Sequence, residues 1–164
     1  MTFSEKYTIS ISSMTYRTSG NGAKKSSLSS YKVLRIGDIA YEGHTNKEYK
    51  FGRFVLNDLG DGIMSPRFTA LRPKIKLNIL FWKEYIHYEP MMRRVLVRST
   101  KQGTMMNELV TKDFYNESIF VPNDLEQTKI GYFLSELNCL IALHQRKLEH
   151  LELLKKGLLQ QMFV

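Results

Sequence analysis

The chain contains very little cysteine and no long hydrophobic run. Its 164 residues include one cysteine, Cys139, which can form no intrachain disulfide and supplies no cysteine pair for a metal. No uncharged run approaches the roughly 18 apolar residues of a membrane span, and residues 1–10 lack the basic-then-apolar pattern of a secretory signal. These absences predict a soluble, cytoplasmic protein with no metal centre and no membrane partner.

Sequence signatures of catalysis are also missing. The chain has no glycine-rich phosphate loop, no His-Glu-x-x-His, no Gly-x-Ser-x-Gly and no glycine motif for a methyl-donor cofactor. His144 and His150 are six residues apart, so on a helix they would face different directions. Asp58, Asp61 and Lys74 match a nuclease cluster only loosely, and surface charge explains them better. The sequence predicts a protein that is not an enzyme and carries no cofactor.

Positive charge is concentrated in the first part of the chain. Residues 1–122 contain 19 Lys and Arg against 11 Asp and Glu, a surplus of eight, whereas residues 123–164 contain five of each. Such a surplus suits a polyanionic partner, because each neutralised phosphate releases counterions and attraction steers association. Nucleic acid is the favoured partner, and an ordinary basic surface is the alternative.

Residues 1–122 show the pattern of one domain of the α/β (α+β) class. Apolar residues make up 43% of the chain and include nine Tyr and nine Phe, enough to bury a core. Residues 77–87 have a helical spacing of aromatic residues, which favours core packing over base stacking. The acidic residues 57–62 lack the oxygen spacing of an EF-hand, which disfavours calcium binding. Short strands are predicted at residues 7–12, 33–36, 39–41 and 51–56.

Residues 123–164 predict one long helix. No proline follows Pro122, and Asp124 with Gln127 three residues later forms a helix-start pattern. A helix over residues 125–162 would be about 57 Å long at roughly 1.5 Å per residue, more than a small domain needs. Apolar residues recur alternately four and three apart along it, which is a heptad seam typical of a coiled coil. The predicted helix–helix interface residues are Ile130, Leu134, Leu137, Ile141, Leu148, Leu151, Leu158 and Met162.

The apolar face of this helix is wider than a two-stranded coiled coil requires. A second stripe, formed by Phe133, Leu140 and Leu154, lies one position before the seam. Two polar residues, His144 and Lys155, also fall on the seam. The alternative to pairing is a helix docked along its own domain, but helices in globular proteins usually have about 8 to 20 residues. The length therefore favours a helical partner.

Three runs of the helix read LEQTKIGYFL at residues 125–134, LHQRKLEHL at 143–151 and LLKKGLLQQMF at 153–163. Together they closely resemble the distal conserved region of type I restriction-modification specificity subunits. Upstream, the chain reads YKVLRIGDIAY at residues 31–41, GIMSPRF at 62–68 and NELV at 107–110. These runs resemble the latter part of a target recognition domain of the same family.

The resemblance implies a function in sequence-specific DNA recognition. In that family a subunit carries two target recognition domains, each followed by a conserved helix. The two helices pair antiparallel as a spacer, and each domain reads one half of a split DNA site. This chain has one such domain, residues 1–122, and one helix, residues 123–164, and the family's segment at the start of the domain is not recognisable before Tyr7. It therefore resembles a half subunit or a truncated form.

The same resemblance implies the architecture and the partners. The domain is expected to have a mixed, largely antiparallel sheet with flanking helices, followed by the coiled-coil helix. The expected partners are double-stranded DNA, the methyltransferase and nuclease/translocase subunits and, through the helix, a second copy or a second specificity half. A non-catalytic coiled-coil adaptor with only non-specific DNA affinity is the alternative.

Two loops are candidates for different kinds of DNA contact. The polar, glycine-bearing loop of residues 18–27 carries two lysines that can reach phosphates, although a mobile solvated loop fits equally well. In residues 99–104, Lys101 can donate to guanine acceptors and Gln102 can pair with adenine, while Gly103 permits close backbone approach. An ordinary polar turn is the alternative there. The predicted DNA contacts are Arg17, Lys24, Lys25, Arg53, Arg67, Arg93, Arg98, Lys101 and Gln102.

Overall fold

A computed structural model of the chain describes residues 4–17 and 25–163. It is an α+β structure of short strands and four α-helices, as predicted. The strands are β1 (Ile9–Ser10), β2 (Thr15–Tyr16), β3 (Lys32–Leu34), β4 (Ile39–Glu42), β5 (Arg53–Leu56), β6 (Gly62–Met64), β7 (Thr69–Leu71), β8 (Thr100–Lys101) and β9 (Glu108–Leu109). The helices are α1 (Ile79–His87), α2 (Glu89–Ser99), α3 (Thr111–Phe114) and α4 (Asp124–Met162), with 3₁₀ helices at Glu5–Tyr7 and Lys25–Ser30.

The strands form four small antiparallel sheets within the described residues. β4 is central in a three-stranded sheet between β5 and β7, and the pairs β1–β2, β3–β6 and β8–β9 form the others. In residues 4–17 and 25–163, parallel pairing is limited to the isolated bridges Thr8–Ile63 and Lys50–Gly52. One mixed, largely antiparallel sheet was expected, and the strands are instead divided among separate antiparallel sheets.

Gly37 and Asp38 lie in a turn between β3 and β4, and these two strands do not pair with each other. Gly37 has a φ of 84°, which glycine adopts easily. The buried Asp38 carboxylate accepts the backbone N–H of Arg35 at 2.9 Å and two guanidinium N–H groups of Arg72 at 3.0 and 2.9 Å. The contacts of Asp38 with Arg35 and Arg72 hold the turn in place. On either side of the turn, β3 and β4 belong to different sheets.

Two hydrophobic clusters form the core. The larger cluster lies between the three-stranded sheet and helices α1 and α2, where the buried Phe54 and Leu56 alternate with half-buried residues along β5. Its buried members are Tyr41, Phe54, Leu56, Leu71, Ile86, Met92, Val95 and Leu96. The smaller cluster consists of Ile9, Ile11, Leu34, Ala40 and Met64.

The strand predicted at residues 7–12 is shorter in the structure, because Glu5–Tyr7 forms a 3₁₀ helix.

Helix α4 begins with a capping box one residue earlier than the sequence pattern indicated. The Asn123 side chain accepts the Glu126 backbone N–H at 3.0 Å, and the Glu126 carboxylate accepts the Asn123 N–H at 3.2 Å. Two N–H groups at the start of the helix are thereby satisfied without the Gln127 side chain, which makes a different contact. With 39 residues, α4 is about 58 Å long at roughly 1.5 Å per residue.

Only the beginning of α4 lies along the domain. Gln127 and Gly131 are buried against α1, and the Asn138 amide donates to the Glu84 carboxylate at 3.0 Å. From residue 139 to residue 163 every residue is exposed except the half-buried Gly157. The helix therefore leaves the domain after about four turns. In the described part of the chain no helix combines the length and apolar content needed to cross a membrane.

Candidate nucleic-acid interface

A groove with both polar and apolar lining runs between the N-terminal hairpin and the turn of residues 65–68. It has a volume of about 550 Å³, and its polar lining includes the hydroxyl groups of serine residues, the two arginines Arg17 and Arg67, and Glu42, whose carboxylate is paired with Arg53. Hydroxyl and guanidinium groups are common partners of phosphate oxygens. We name this feature the N-terminal groove.

The two arginines of the N-terminal groove have no acidic partner among the described residues. Arg17 Nη2 donates to Ser10 Oγ at 3.3 Å, and the backbone N–H of Arg17 donates to the Thr8 carbonyl at 2.8 Å. Arg67 is exposed in a turn closed by the Phe68 N–H and the Ser65 carbonyl at 3.2 Å. Both guanidinium groups are therefore available to an anion.

Arg53 is held inside the protein by several partners. Its Nε and Nη2 atoms lie 2.8 and 2.7 Å from Glu42 Oε2, its Nη1 lies 3.2 Å from His87 Nε2, and its Cζ lies 4.9 Å from the ring centroid of Tyr49. The side chains of Arg53 and Glu42 are only 17% and 9% exposed. Glu42 cancels the charge of Arg53, so this arginine is less suited to DNA contact than Arg17 or Arg67.

The half-buried His87 contacts Arg53 at Nη1, whereas Glu42 contacts it at Nε and Nη2. Burial lowers its pKa from the ordinary value, and the positive charge of Arg53 lowers it further, although Glu84, Glu48 and Glu42 oppose the shift. A neutral imidazole can accept the N–H that Arg53 directs at Nε2. This network was not predicted from the sequence, because Glu42, Arg53 and His87 are distant along the chain.

Arg93 and Arg98 of α2 are exposed, but each forms an ion pair with a carboxylate that is largely buried. Arg93 Nε is 3.9 Å from Glu89 Oε1, and Arg98 Nη1 is 3.6 Å from Glu117 Oε1. The two arginine side chains are 60% and 62% exposed and the pairs are long, so a phosphate can approach both guanidinium groups. Arg93 and Arg98 therefore remain accessible to DNA.

The loop that carries Lys101 and Gln102 is anchored by a residue that sequence reasoning missed. Lys101 lies in β8 opposite Glu108, and the exposed Gln102 follows it at the edge of a cavity of about 420 Å³ that Lys50 also lines. The buried Asn107 donates its backbone N–H to the Gly43 carbonyl at 2.8 Å and its amide to the Lys50 carbonyl at 3.3 Å. The loop is thus held against the β4–β5 connection.

Two further predicted DNA contacts belong to the loop of residues 18–27. Lys24 and the side chain of Lys25 lie outside the described residues. The proposed role of the residue 18–27 loop stays a prediction.

The acidic turn at residues 57–62 uses its oxygens internally. Asn57 Oδ1 accepts the Leu59 N–H at 3.1 Å, Asp61 Oδ1 accepts the Ile36 N–H at 3.0 Å, and Asp58 Oδ2 accepts from Lys83 at 3.2 Å. Within residues 4–17 and 25–163 no three His, Cys, Asp or Glu side chains gather to hold a metal ion.

The predicted helix–helix interface is largely uncovered. Leu134 is half-buried beside the contact with α1, whereas the other seven predicted residues are exposed, from 39% for Ile130 to 72% for Met162. Phe133, Leu140 and Leu154 of the second stripe are at least half exposed. An apolar face of this length is unusual on a monomeric protein and marks an interaction surface.

Comparison with known proteins found no matching family model, no matching curated protein and no matching solved structure. The function is therefore inferred from the residues and geometry of this chain.

Proposed function

We propose that this chain is the sequence-specific DNA recognition component of a type I restriction-modification assembly. It acts as a half specificity subunit, with one target recognition domain and one spacer helix. The observation that carries the proposal is α4, which extends beyond a basic domain and exposes apolar residues at heptad spacing. The sequence resemblance of residues 31–164 to the specificity subunits supports the same function.

The domain supplies the contacts to DNA. Its eight surplus positive charges attract the duplex. Arg17 and Arg67 of the N-terminal groove, which have no acidic partner among the described residues, contact phosphates. Lys101 and Gln102 read base edges from an anchored loop, since phosphate contacts position a protein and base contacts choose the sequence. Arg93 and Arg98 add contacts from α2.

The helix supplies the second half of the binding unit. The seam of α4 pairs antiparallel with a second copy of the chain or with another specificity half. Burying seven exposed seam residues gains on the order of 10 kcal/mol, at about 1.5 to 3 kcal/mol for each fully buried residue and less for partial burial. Association costs roughly 4 to 15 kcal/mol, so the pair ranges from weak to firm.

DNA recognition belongs to this chain, and catalysis belongs to its partner subunits. The paired helices set the distance and phase between two domains on the duplex, and each domain reads one half of a bipartite site. Methyltransferase and nuclease/translocase subunits supply the chemistry. This assignment suits a chain that lacks sequence motifs for catalysis.

An electrophoretic shift with a random-site DNA library tests the proposal. Successive rounds of selection should enrich one sequence motif, and binding should weaken steeply as salt rises. Binding without enrichment of any motif would favour the coiled-coil adaptor with non-specific DNA affinity instead.

A further inference from the structure

The contact between α1 and α4 is built from backbone packing and from hydrogen bonds at both of its ends. We define the α1–α4 contact by Gln127, Thr128, Gly131 and Asn138 of α4 and by the residues of α1 and its cap that they touch. It is the only place in the described chain where α4 is buried.

Gly131 brings the two helices unusually close together. It is buried, and a Cβ atom at this position would lie 2.8 Å from the Phe81 backbone nitrogen and 3.0 Å from Leu80 Cβ. The obstacle is partly backbone, so a larger side chain cannot be accommodated by a rotamer change alone. Gly157, in the same helix, has nothing within 4 Å of the corresponding position.

Hydrogen bonds fix the near end of the contact. The amide of Gln127, only 6% exposed, accepts the Trp82 indole N–H at 3.0 Å and donates to the Pro122 carbonyl at 2.9 Å. Thr128 Oγ1 accepts the Asn78 amide at 3.1 Å. These bonds tie α4 to α1 and to the segment that precedes α4.

A further bond fixes the far end. Asn138, which is exposed to solvent, donates to Glu84 at 3.0 Å. It lies eleven residues beyond Gln127, which is about 16 Å along the helix axis. Two attachment points on opposite sides of the close approach at Gly131 restrain the angle between α1 and α4 as well as their distance.

We propose that Gln127, Gly131 and Asn138 are positioning residues that fix the angle at which the domain is held on α4, and through it the spacing of the two DNA half-sites. The spacing part of this inference rests on the proposed function. From Gly131 to Met162, α4 extends about 46 Å, so a tilt of about 10° at the contact moves its far end by about 8 Å, more than the rise of two base pairs. Small changes at the contact therefore alter which spacing fits.

Distances between spin labels test the angle without DNA. Nitroxide labels are attached at Ala70→Cys in β7 and Gln160→Cys in α4, in a Cys139→Ser background, and excess unlabelled chain suppresses distances between copies. The parent should give one narrow distance distribution. Gly131→Leu should shift or broaden it, and Gly157→Leu, the matched control, should leave it unchanged.

A second variant covers the case in which Gly131→Leu does not fold. Gln127→Ala combined with Asn138→Ala removes the bonds at both ends of the contact without adding volume, and it should also broaden the distribution. Circular dichroism identifies the variants that keep their helix content. An unchanged distribution in the folded variants would overturn the inference.

Selection from a random DNA library then tests the effect on spacing. The parent and Gly157→Leu should enrich half-sites at one spacing, and Gly131→Leu should enrich the same half-sites at several spacings. The same single spacing in Gly131→Leu would overturn the link between the contact and the DNA site. If the distances respond but the parent enriches no site, the proposed function is wrong while the positioning role of the contact stands.

Discussion

At the scale of single residues, the charges of the domain divide into those that hold the fold and those that are free for a ligand. Arg53 belongs to the first group, because Glu42 and His87 surround its guanidinium. Arg67 belongs to the second, because it is exposed and has no acidic partner among the described residues. The sequence predicted both as DNA contacts, since residue type alone cannot show which arginine is paired.

Replacing Arg53 should therefore affect stability first. Arg53→Ala leaves the nearly buried Glu42 carboxylate without its main partner, which should cost about 3 kcal/mol of unfolding free energy. Arg67 is exposed, so Arg67→Ala should change the free energy of unfolding by no more than about 0.5 kcal/mol. Urea denaturation of both variants measures the difference, and equal effects would show that the Arg53–Glu42 pair adds nothing to the fold.

His87 should make stability depend on pH. Its pKa is lower in the folded protein than the ordinary 6.5, so below about pH 6.5 the unfolded chain binds a proton that the folded chain does not. The stabilisation present above that pH should be lost as pH falls from 6.5 toward the folded pKa. Thermal unfolding between pH 7.5 and pH 5 should show a smaller decline for His87→Gln than for the parent, and parallel curves would contradict this.

At the scale of elements, α4 was the most predictable part of the chain and the sheets were the least. An uninterrupted heptad pattern is a local signal, so the sequence located the helix to within one residue at its start. The N-cap is Asn123 rather than the predicted Asp124, because Glu126 completes a capping box with Asn123. The pairing of β3 with β6, rather than with β4, depends on contacts distant in sequence, such as the Ile36 N–H that donates to Asp61.

Charged residues on the seam should separate the paired helices. Leu137→Glu with Leu148→Glu places two carboxylates in the proposed interface, where burying them without partners is costly. Multi-angle light scattering should report a dimer for the parent and a monomer for this variant. Cys139→Glu with Gln160→Glu adds the same charge on the opposite face of α4 and should remain a dimer. If the seam variant keeps the parent's mass, the seam is not the interface.

Removing the two sets of proposed DNA contacts should have different effects on affinity and on sequence preference. Arg17→Ala with Arg67→Ala should weaken binding to all sequences alike and flatten the slope of log affinity against log salt by about 0.9 per lost phosphate contact. Lys101→Ala with Gln102→Ala should relax the preferred site by about 1 to 3 kcal/mol for each lost base contact, with less change in slope. Affinity titrations over a salt series, combined with site selection, distinguish the two. An unchanged motif in the second variant would remove Lys101 and Gln102 from base reading.

At the scale of the whole molecule, a basic domain is joined to a helix. In the proposed assembly this helix holds the domain of a second chain at a fixed distance. Domain and helix share the α1–α4 contact, so under this proposal we expect them to act as one unit on the duplex. Two identical chains paired antiparallel are related by a two-fold axis, which places their domains in opposite orientations on DNA. A two-fold protein reads an inverted repeat, as dimeric DNA-binding proteins generally do.

The measurement that tests this account most directly is sequencing of the DNA selected by the parent chain and by the seam variant Leu137→Glu with Leu148→Glu. The parent should select two inverted copies of one half-site separated by a constant number of unselected base pairs. The seam variant should select the same half-site once, with lower affinity. A parent that enriches no motif, or one with no inverted symmetry, would contradict the account.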